Sequence, residues 1–213
     1  MIQIHCFTFN AFQQNTYLLW DESKEAVLID AGCYDTDEKD ELRNFIQKHD
    51  LQLRYLLLTH SHIDHVLGAA FVEQTYNVPI VSHKKDQATF LMNQIVASNW
   101  GFPNYESTKA TVFVDEGDKI SFGNSELEIL FTPGHSEGHI VFLNKIQNFC
   151  INGDVLFRGS VGRTDLPNGS WEVLENSIRE KMYKLDDTMQ VFCGHGQATT
   201  IGYEKRNNPF VRA

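Results

Sequence analysis

A mixed α/β (α+β) architecture, with two sheets or one large mixed sheet covered by helices, follows from three features of the sequence. Short apolar runs of strand length recur along the chain, separated by turns rich in Gly, Asp and Asn. Amphipathic helical segments lie among them, without the strict strand–helix alternation of a doubly wound parallel sheet. No G-x-G-x-x-G or P-loop motif occurs, which sets a nucleotide-binding fold aside.

Residues 16–20 and 26–29 are apolar runs with Asp21-Glu22-Ser23-Lys24 between them, a predicted hairpin. Asp30-Ala31-Gly32 ends the second run. An acidic helix start follows at residues 35–38, with Leu42, Phe45, Ile46 and His49 at helical spacing. Residues 53–58 form a buried strand that runs straight into Thr59-His60. A helix is predicted over 66–76, a strand over 78–81 and a helix over 84–96. Strands are predicted at 111–114, 119–122 and 127–131, with hairpin-like punctuation at 115–118 and 123–125. Residues 140–143 and 149–151 make another strand pair. Residues 171–185 read as an amphipathic helix with Val173, Leu174, Ile178, Met182 and Leu185 on one stripe. The last predicted strand is 189–193.

A length of 213 residues suits one domain spanning 1–213, since domains run to about 100–200 residues. No repeat, linker or composition shift marks a boundary. No apolar run approaches the about 20 residues of a membrane span, and the start carries no early Lys or Arg of an export signal. The expected location is the cytoplasm, with no membrane partner. Eighteen Lys and Arg stand against 28 Asp and Glu, a formal charge of −10. Such a surface repels phosphate backbones, so no nucleic-acid partner is expected. Cys6, Cys33, Cys150 and Cys193 form no C-x-x-C pair and read as reduced core cysteines.

Histidine carries the functional signal. Thr59-His60-Ser61-His62-Ile63-Asp64-His65 holds four metal-ligand side chains within six residues. Imidazole and carboxylate suit zinc, iron or manganese. Residues two apart share a direction on extended backbone and not on a helix. His60 and His62 can therefore grip one ion at the end of the 53–58 strand, while Asp64 and His65 point elsewhere, naturally toward a second ion. Three further segments share a pattern: Gly134-His135, Gly153-Asp154 and Gly194-His195 each follow an apolar run. Glycine permits close backbone approach, and strand ends hold ligands on rigid elements. One Gly-His or Gly-Asp pair alone is ordinarily a turn; the combination is not.

These segments resemble the metallo-β-lactamase superfamily, which includes glyoxalase II. The resemblance runs from Asn15-Thr16-Tyr17 to Asn208-Pro209-Phe210 and includes Gly162-Arg163-Thr164-Asp165-Leu166-Pro167. It is closest to short, glyoxalase II-like bacterial hydrolases. It implies a four-layer αββα sandwich with the site along one edge of the sheets. It implies His60, His62 and His135 on a first metal, Asp64, His65 and His195 on a second, and Asp154 bridging them, with two Zn2+ expected and Fe or Mn as alternatives. Asp30 resembles the family's carboxylate that braces the metal loop from outside; a plain turn residue is the other reading.

Two metals about 3.5–4 Å apart can share a hydroxide that exists at neutral pH. The expected reaction is its attack on a carbonyl, with Asp64 orienting it and Asp154 fixing the metal spacing. No Tyr, Glu or Lys stands out as an acid, which favours a thiolate leaving group and hence a thioester. Arg163 lies where glyoxalase II has a basic residue against glutathione, and Arg158 lies just after Asp154. Both are candidate substrate contacts, with solvated loop arginines as the plain alternative. Trp100, Phe102 and Tyr105 could wall a pocket or plug the core. His5, His49, His83 and His139 are read as structural. Only 18 residues follow His195, where full-length glyoxalase II has a further glutathione-gripping helical domain. The expected function is thus a binuclear metal-dependent hydrolase of a small thioester, hydroxyacylglutathione-like. A mononuclear Fe(II) persulfide-dioxygenase-like oxygenase, using His60, His135 and Asp154, and a lactone or other ester hydrolase are the alternatives. A noncatalytic docking module is opposed by the complete ligand set.

Overall fold

The computed structural model of the protein describes residues 1–212. Its first six strands, β1 (Gln3–Phe9), β2 (Gln14–Trp20), β3 (Glu25–Ile29), β4 (Gln52–Leu57), β5 (Ile80–His83) and β6 (Val112–Val114), form one sheet in that order. The second sheet has the order β14-β13-β10-β9-β8-β7. Its strands are β7 (Lys119–Phe122), β8 (Ser125–Phe131), β9 (Ile140–Asn144), β10 (Phe149–Gly153), β13 (Gln190–Cys193) and β14 (Thr199–Thr200). A two-strand ribbon, β11 (Leu156–Phe157) with β12 (Ser160–Val161), stands apart. The helices are α1 (Thr36–Lys48), α2 (Ile63–Val66), α3 (Ala69–Tyr76), α4 (Gln87–Val96), α5 (Trp171–Glu180) and α6 (Ile201–Asn207).

Period-two alternation explains the layering. In β2 every residue is buried, yet Tyr17 and Leu19 face one core while Leu18 and Trp20 face another. Val27 and Ile29 of β3 join Tyr17 and Leu19 against Ile129, Phe142 and Ile151, filling the space between the two sheets. On the outer face of the first sheet, Leu18 and Leu28 pack with Leu42 and Ile46 of α1 and Val72 of α3. On the outer face of the second, Val141, Leu143 and Val191 pack with Leu174 and Ile178 of α5 and Ile201 of α6. Helix, sheet, sheet and helix make the four layers. Each fully buried Leu, Ile or Phe contributes about 1.5–3 kcal/mol.

Several elements differ from the sequence reading. The Asp115–Asp118 turn joins no hairpin: β6 pairs in parallel with β5, so this turn carries the chain from one sheet to the other. The predicted 66–76 helix is two helices, because the Gly68 N–H donates to Ala31 O (2.8 Å) instead of continuing a helical ladder. The predicted 171–185 helix ends at Glu180. Lys181 leaves helical geometry (φ −122°, ψ −64°) and its ammonium donates to Phe131 O at 2.6 Å. Val173 is 41% exposed, off the buried stripe. β1, the β11–β12 ribbon, β14 and α6 lie in segments without a sequence signal, and 189–193 is not the last strand. Cys6 is exposed rather than core; Cys33, Cys150 and Cys193 are buried, and all four are free.

Candidate metal centre

The ends of β4, β8, β10 and β13 meet at one edge of the sandwich, and each delivers donor side chains there. His60 and His62 follow β4, His135 follows β8, Asp154 follows β10 and His195 follows β13. Extended backbone at His62 (φ −64°, ψ 152°) gives way to α2, which turns Asp64 and His65 toward the second group of donors. Backbone bonds hold these strand ends together, both within the second sheet and between the two sheets. Asn15 N donates to Gly194 O and Gly194 N to Gly153 O, both at 2.7 Å, and Ile140 N donates to Thr59 O at 2.8 Å. Gly194 is required by close approach: a Cβ there would fall 2.1 Å from Asp154 Oδ1 and 2.8 Å from the His65 ring.

Two donor groups result. His60, His62 and His135 form one and Asp64, His65 and His195 the other, with donor atoms in each within 4.8 Å of one another. Asp154 stands between them. Its Oδ2 lies 3.5 Å from both His135 Nε2 and His195 Nε2, and its Oδ1 lies 3.5 Å from His65 Nε2.

Outer hydrogen bonds set the tautomers. Thr59 Oγ1 gives its proton to Asp30 Oδ2 (2.6 Å), so it accepts from His60 Nδ1 at 3.1 Å. His65 Nδ1 donates to Asp30 Oδ2 (3.0 Å), His135 Nδ1 to Arg163 O (2.7 Å) and His195 Nδ1 to Phe12 O (3.1 Å). Each ring therefore presents a bare Nε2 to the centre. The His60 and His135 lone pairs face each other at 3.2 Å, and His62 Nδ1 lies 2.8 Å from His135 Nε2. His65 Nε2 and Asp154 Oδ1 are buried with no hydrogen-bond partner. Acceptors converging on acceptors in a dry site call for cations, so the residues present fit divalent metal ions.

Burial, then the neighbouring His65, hold His60 well below the usual imidazole range. Burial and His135 bring His62 down to about 3. Burial opposes charge on His65 and His195 too, but Asp64 and Asp154 outweigh it and push both up. Burial would raise Asp64 and Asp154; the histidines, His65 foremost, hold both below the carboxylate range. His60 and His62 are thus neutral lone-pair donors, and Asp64 and Asp154 are ionised as a metal requires. The same carboxylates favour on His65 and His195 a proton that a bound cation would displace.

The seven side chains named as ligands from the sequence are thus brought together. Asp30 is buried behind them at φ 56°, its oxygens taken by Thr59 N (2.7 Å), Thr59 Oγ1 and His65. Arg163 lines the cavity above the centre, but Arg158 does not. Arg158 sits 5.1 Å over the Tyr203 ring beside a separate small pocket, which corrects its expected place. Trp100 lines the cavity, whereas Phe102 is buried against Ile63 and Leu67, and Tyr105 packs on the core.

Further residues brace the site, among them His139, which the sequence marks only as structural. His139 Nε2 accepts from Asp154 N (3.1 Å) and its ring stacks on His60 (centroids 4.8 Å apart). The Gly138-His139 dipeptide was its available signal. Thr16 Oγ1 donates to Asp30 O (2.6 Å), and Asn15 Nδ2 donates to Gly196 O (2.9 Å) beside His195. Buried Asp86 accepts from Ser136 Oγ (2.7 Å), next to His135.

Comparison with known proteins points to one family. The profile of the Metallo-beta-lactamase superfamily matches residues 9–195. The Haemophilus influenzae protein named Hydroxyacylglutathione hydrolase GloC is 41% identical over 214 residues, covering 100% of this chain and 99% of its own length. The BLEG-1 B3 metallo-beta-lactamase structure superposes with a TM-score of 0.90 at 30% identity, covering 99% of this chain and 100% of the other. TTHA1623 in a di-iron-bound form superposes with a TM-score of 0.86 at 34% identity, covering 97% and 100% respectively.

Proposed function

The chain belongs to the metallo-β-lactamase superfamily, and from that premise we propose that it is a binuclear metal-dependent hydrolase of small-molecule thioesters. His60, His62 and His135 would hold one ion and Asp64, His65 and His195 the other, with Asp154 between them. Zinc and iron both suit this nitrogen and oxygen donor set. When bound, such ions polarise a carbonyl and bring the pKa of a coordinated water toward neutrality.

The chain's own groups supply the rest. Asp64 turns Oδ2 to His195 (3.1 Å), which leaves Oδ1 to orient a water and take its proton. The carbonyls of Phe12 and Arg163 keep two rings aimed at the centre, and Asp30 does the same for His65. A largely apolar wall surrounds an open cavity of about 830 Å³ that has Asp64 and Asp154 among its lining.

One observation carries the choice of thioester. Among the described residues lining the cavity there is no Tyr, Lys or Glu to protonate a departing alkoxide. A thiolate, whose parent thiol has a pKa near about 8.5, leaves without such an acid. The Haemophilus influenzae hydroxyacylglutathione hydrolase, aligned over 99% of its own length, supports the same chemistry in a chain of this extent. The Asp64–His65–His195 group favours two ions over the single iron of an oxygenase.

The test pairs elemental analysis with a panel of thioesters, esters, lactones and β-lactams, reading thiol release and oxygen uptake. Two ions per chain with thiol release as the main activity is expected. One iron per chain with oxygen consumed on a persulfide, or a β-lactam preferred to every thioester, would overturn the reading. Asp154→Asn should lower metal content and reduce turnover at least about a hundredfold. Full metal occupancy and wild-type turnover in that variant would remove Asp154 from between the ions.

A further inference from the structure

Residues 88–101 contain no charged side chain. They include most of α4 and the 3-10 turn Ala97–Trp100. A surface helix ordinarily turns charged residues to solvent. Here Met92 is 51% exposed and Trp100 43%, and both line the cavity beside Val96. Phe12, on the loop between β1 and β2, faces them with its ring 6.2 Å from that of Trp100. Leu166 and Pro167 also line the cavity. Large apolar side chains gathered at one rim mark a binding surface. The donor groups at its floor indicate that the occupant is the molecule to be cleaved.

Charge points the same way. Among the described residues lining the cavity, Arg163 is the only Lys or Arg. Its Nε and Nη2 each donate to Asp165 at 2.7 Å, so its fork already holds a carboxylate. The one amide that α4 aims at the site, Asn93 Nδ2, is spent on Ser61 O (2.8 Å). A carrier with two carboxylates would meet Asp165 and a chain of formal charge −10, with no unengaged Lys or Arg among the described residues lining the cavity.

Resting on the thioester reading, we infer that the cavity selects substrates through apolar contact with an uncharged arm flanking the thioester. Carboxylates on the thiol carrier add little to recognition. Met92, Val96, Trp100 and Phe12 are the specificity-determining contacts.

The experiment uses the metal-loaded protein and two series of substrates. One lengthens the acyl group, from acetyl to octanoyl, on uncharged N-acetylcysteamine; the other lengthens an alkanethiol on acetyl. Butyl and octyl thioethers of N-acetylcysteamine, which cannot be hydrolysed, are titrated by calorimetry. In at least one series kcat/KM should rise about two- to fourfold per methylene, the factor expected for burying each CH2. The octyl thioether should bind more tightly than the butyl, and both gradients should flatten in the exposed-site double variant Met92→Ser/Trp100→Ala. Moving an acyl group from N-acetylcysteamine to glutathione should raise kcat/KM by less than about tenfold, below what one well-placed charge contact supplies. A flat response in both series, or a larger gain with glutathione, overturns the inference. If no thioester is cleaved, the thioethers still decide: graded binding retains the apolar site while the proposed reaction falls, and ungraded binding removes the site as well.

Discussion

His60 and His65 both stand in the metal loop with no measurable exposure of the second and 1% of the first, yet their protonation is driven in opposite directions. Burial and neighbouring rings keep His60 neutral, whereas Asp64 and Asp154 favour a proton on His65 against its burial. Protons compete with metals for the same lone pairs. A ring whose pKa is raised takes its proton first as pH falls, starting above the ordinary value of 6.5. A ring brought down to about 3, as His62 is, keeps its lone pair far into acid. Acidification should therefore release the ion at Asp64, His65 and His195 first and the ion at His60, His62 and His135 at lower pH. A chromophoric chelator read across a pH titration would show two steps, and His195→Ala should remove the earlier one. Release of both ions in a single step would contradict this order. The donors were legible in the sequence because their spacing and preceding glycines are local features. The braces were not: Thr59, Asn15 and His139 act on backbone or side-chain atoms that only folding brings near.

Strand β8 and helix α5 show how an element places a donor. The loop after β8 crosses α5 at Gly134, where φ is +134° and a Cβ would lie 2.3 Å from Leu174 N. Neither the dihedral nor the space accepts a side chain. The same crossing lets Ser170 N donate to Gly134 O (2.8 Å) and Ser177 Oγ to Pro133 O (2.7 Å). Gly134→Ala should cost about 2–4 kcal/mol and push His135 off its line to His60. Thermal unfolding of the metal-free protein together with metal content would check it; an unchanged melting temperature would show that the crossing can relax. The sequence marks these elements unevenly, for a physical reason. Runs buried on both faces, such as β2 and β10, stand out by composition alone. β1 is exposed or half-buried over most of its length, so Gln3–Phe9 lacks that contrast. The Asp115–Asp118 turn is locally the same whether it closes a hairpin or passes between sheets.

At the scale of the molecule, two sheets are joined through both ends of β2. At the metal edge, Tyr17 Oη donates to Cys193 O (2.6 Å) and Asn15 to Cys193 O and Gly196 O. At the far end, buried Asp21 reaches across to the β7–β8 turn. It accepts from Asn124 N and Ser125 Oγ, both at 2.7 Å, and from Ser23 N at 2.9 Å and Ser23 Oγ. The sandwich was foreseeable from the resemblance, but this clamp was not, since Asp21 reads as an ordinary turn residue. Burial alone would raise its pKa; the donors from Ser23, Ser125 and Asn124 outweigh burial and bring it down to about 2, from an ordinary 3.8. A depressed folded-state pKa means the unfolded chain binds the proton first as pH falls. The stabilisation is therefore complete above pH 3.8 and is lost as pH falls toward 2. Asp21→Asn puts an amide N–H or a weaker acceptor against these donors and should cost about 1–3 kcal/mol near neutrality. The urea midpoint difference between wild type and Asp21→Asn, measured with chelator present so that metal release does not enter, should be constant from about pH 7 to about pH 5. It should then shrink as the carboxylate protonates. A difference that persists undiminished in acid would mean that shape, and not charge, joins the sheets at this end. No difference at neutral pH would mean that the metal edge and the shared core between the sheets hold them without the clamp.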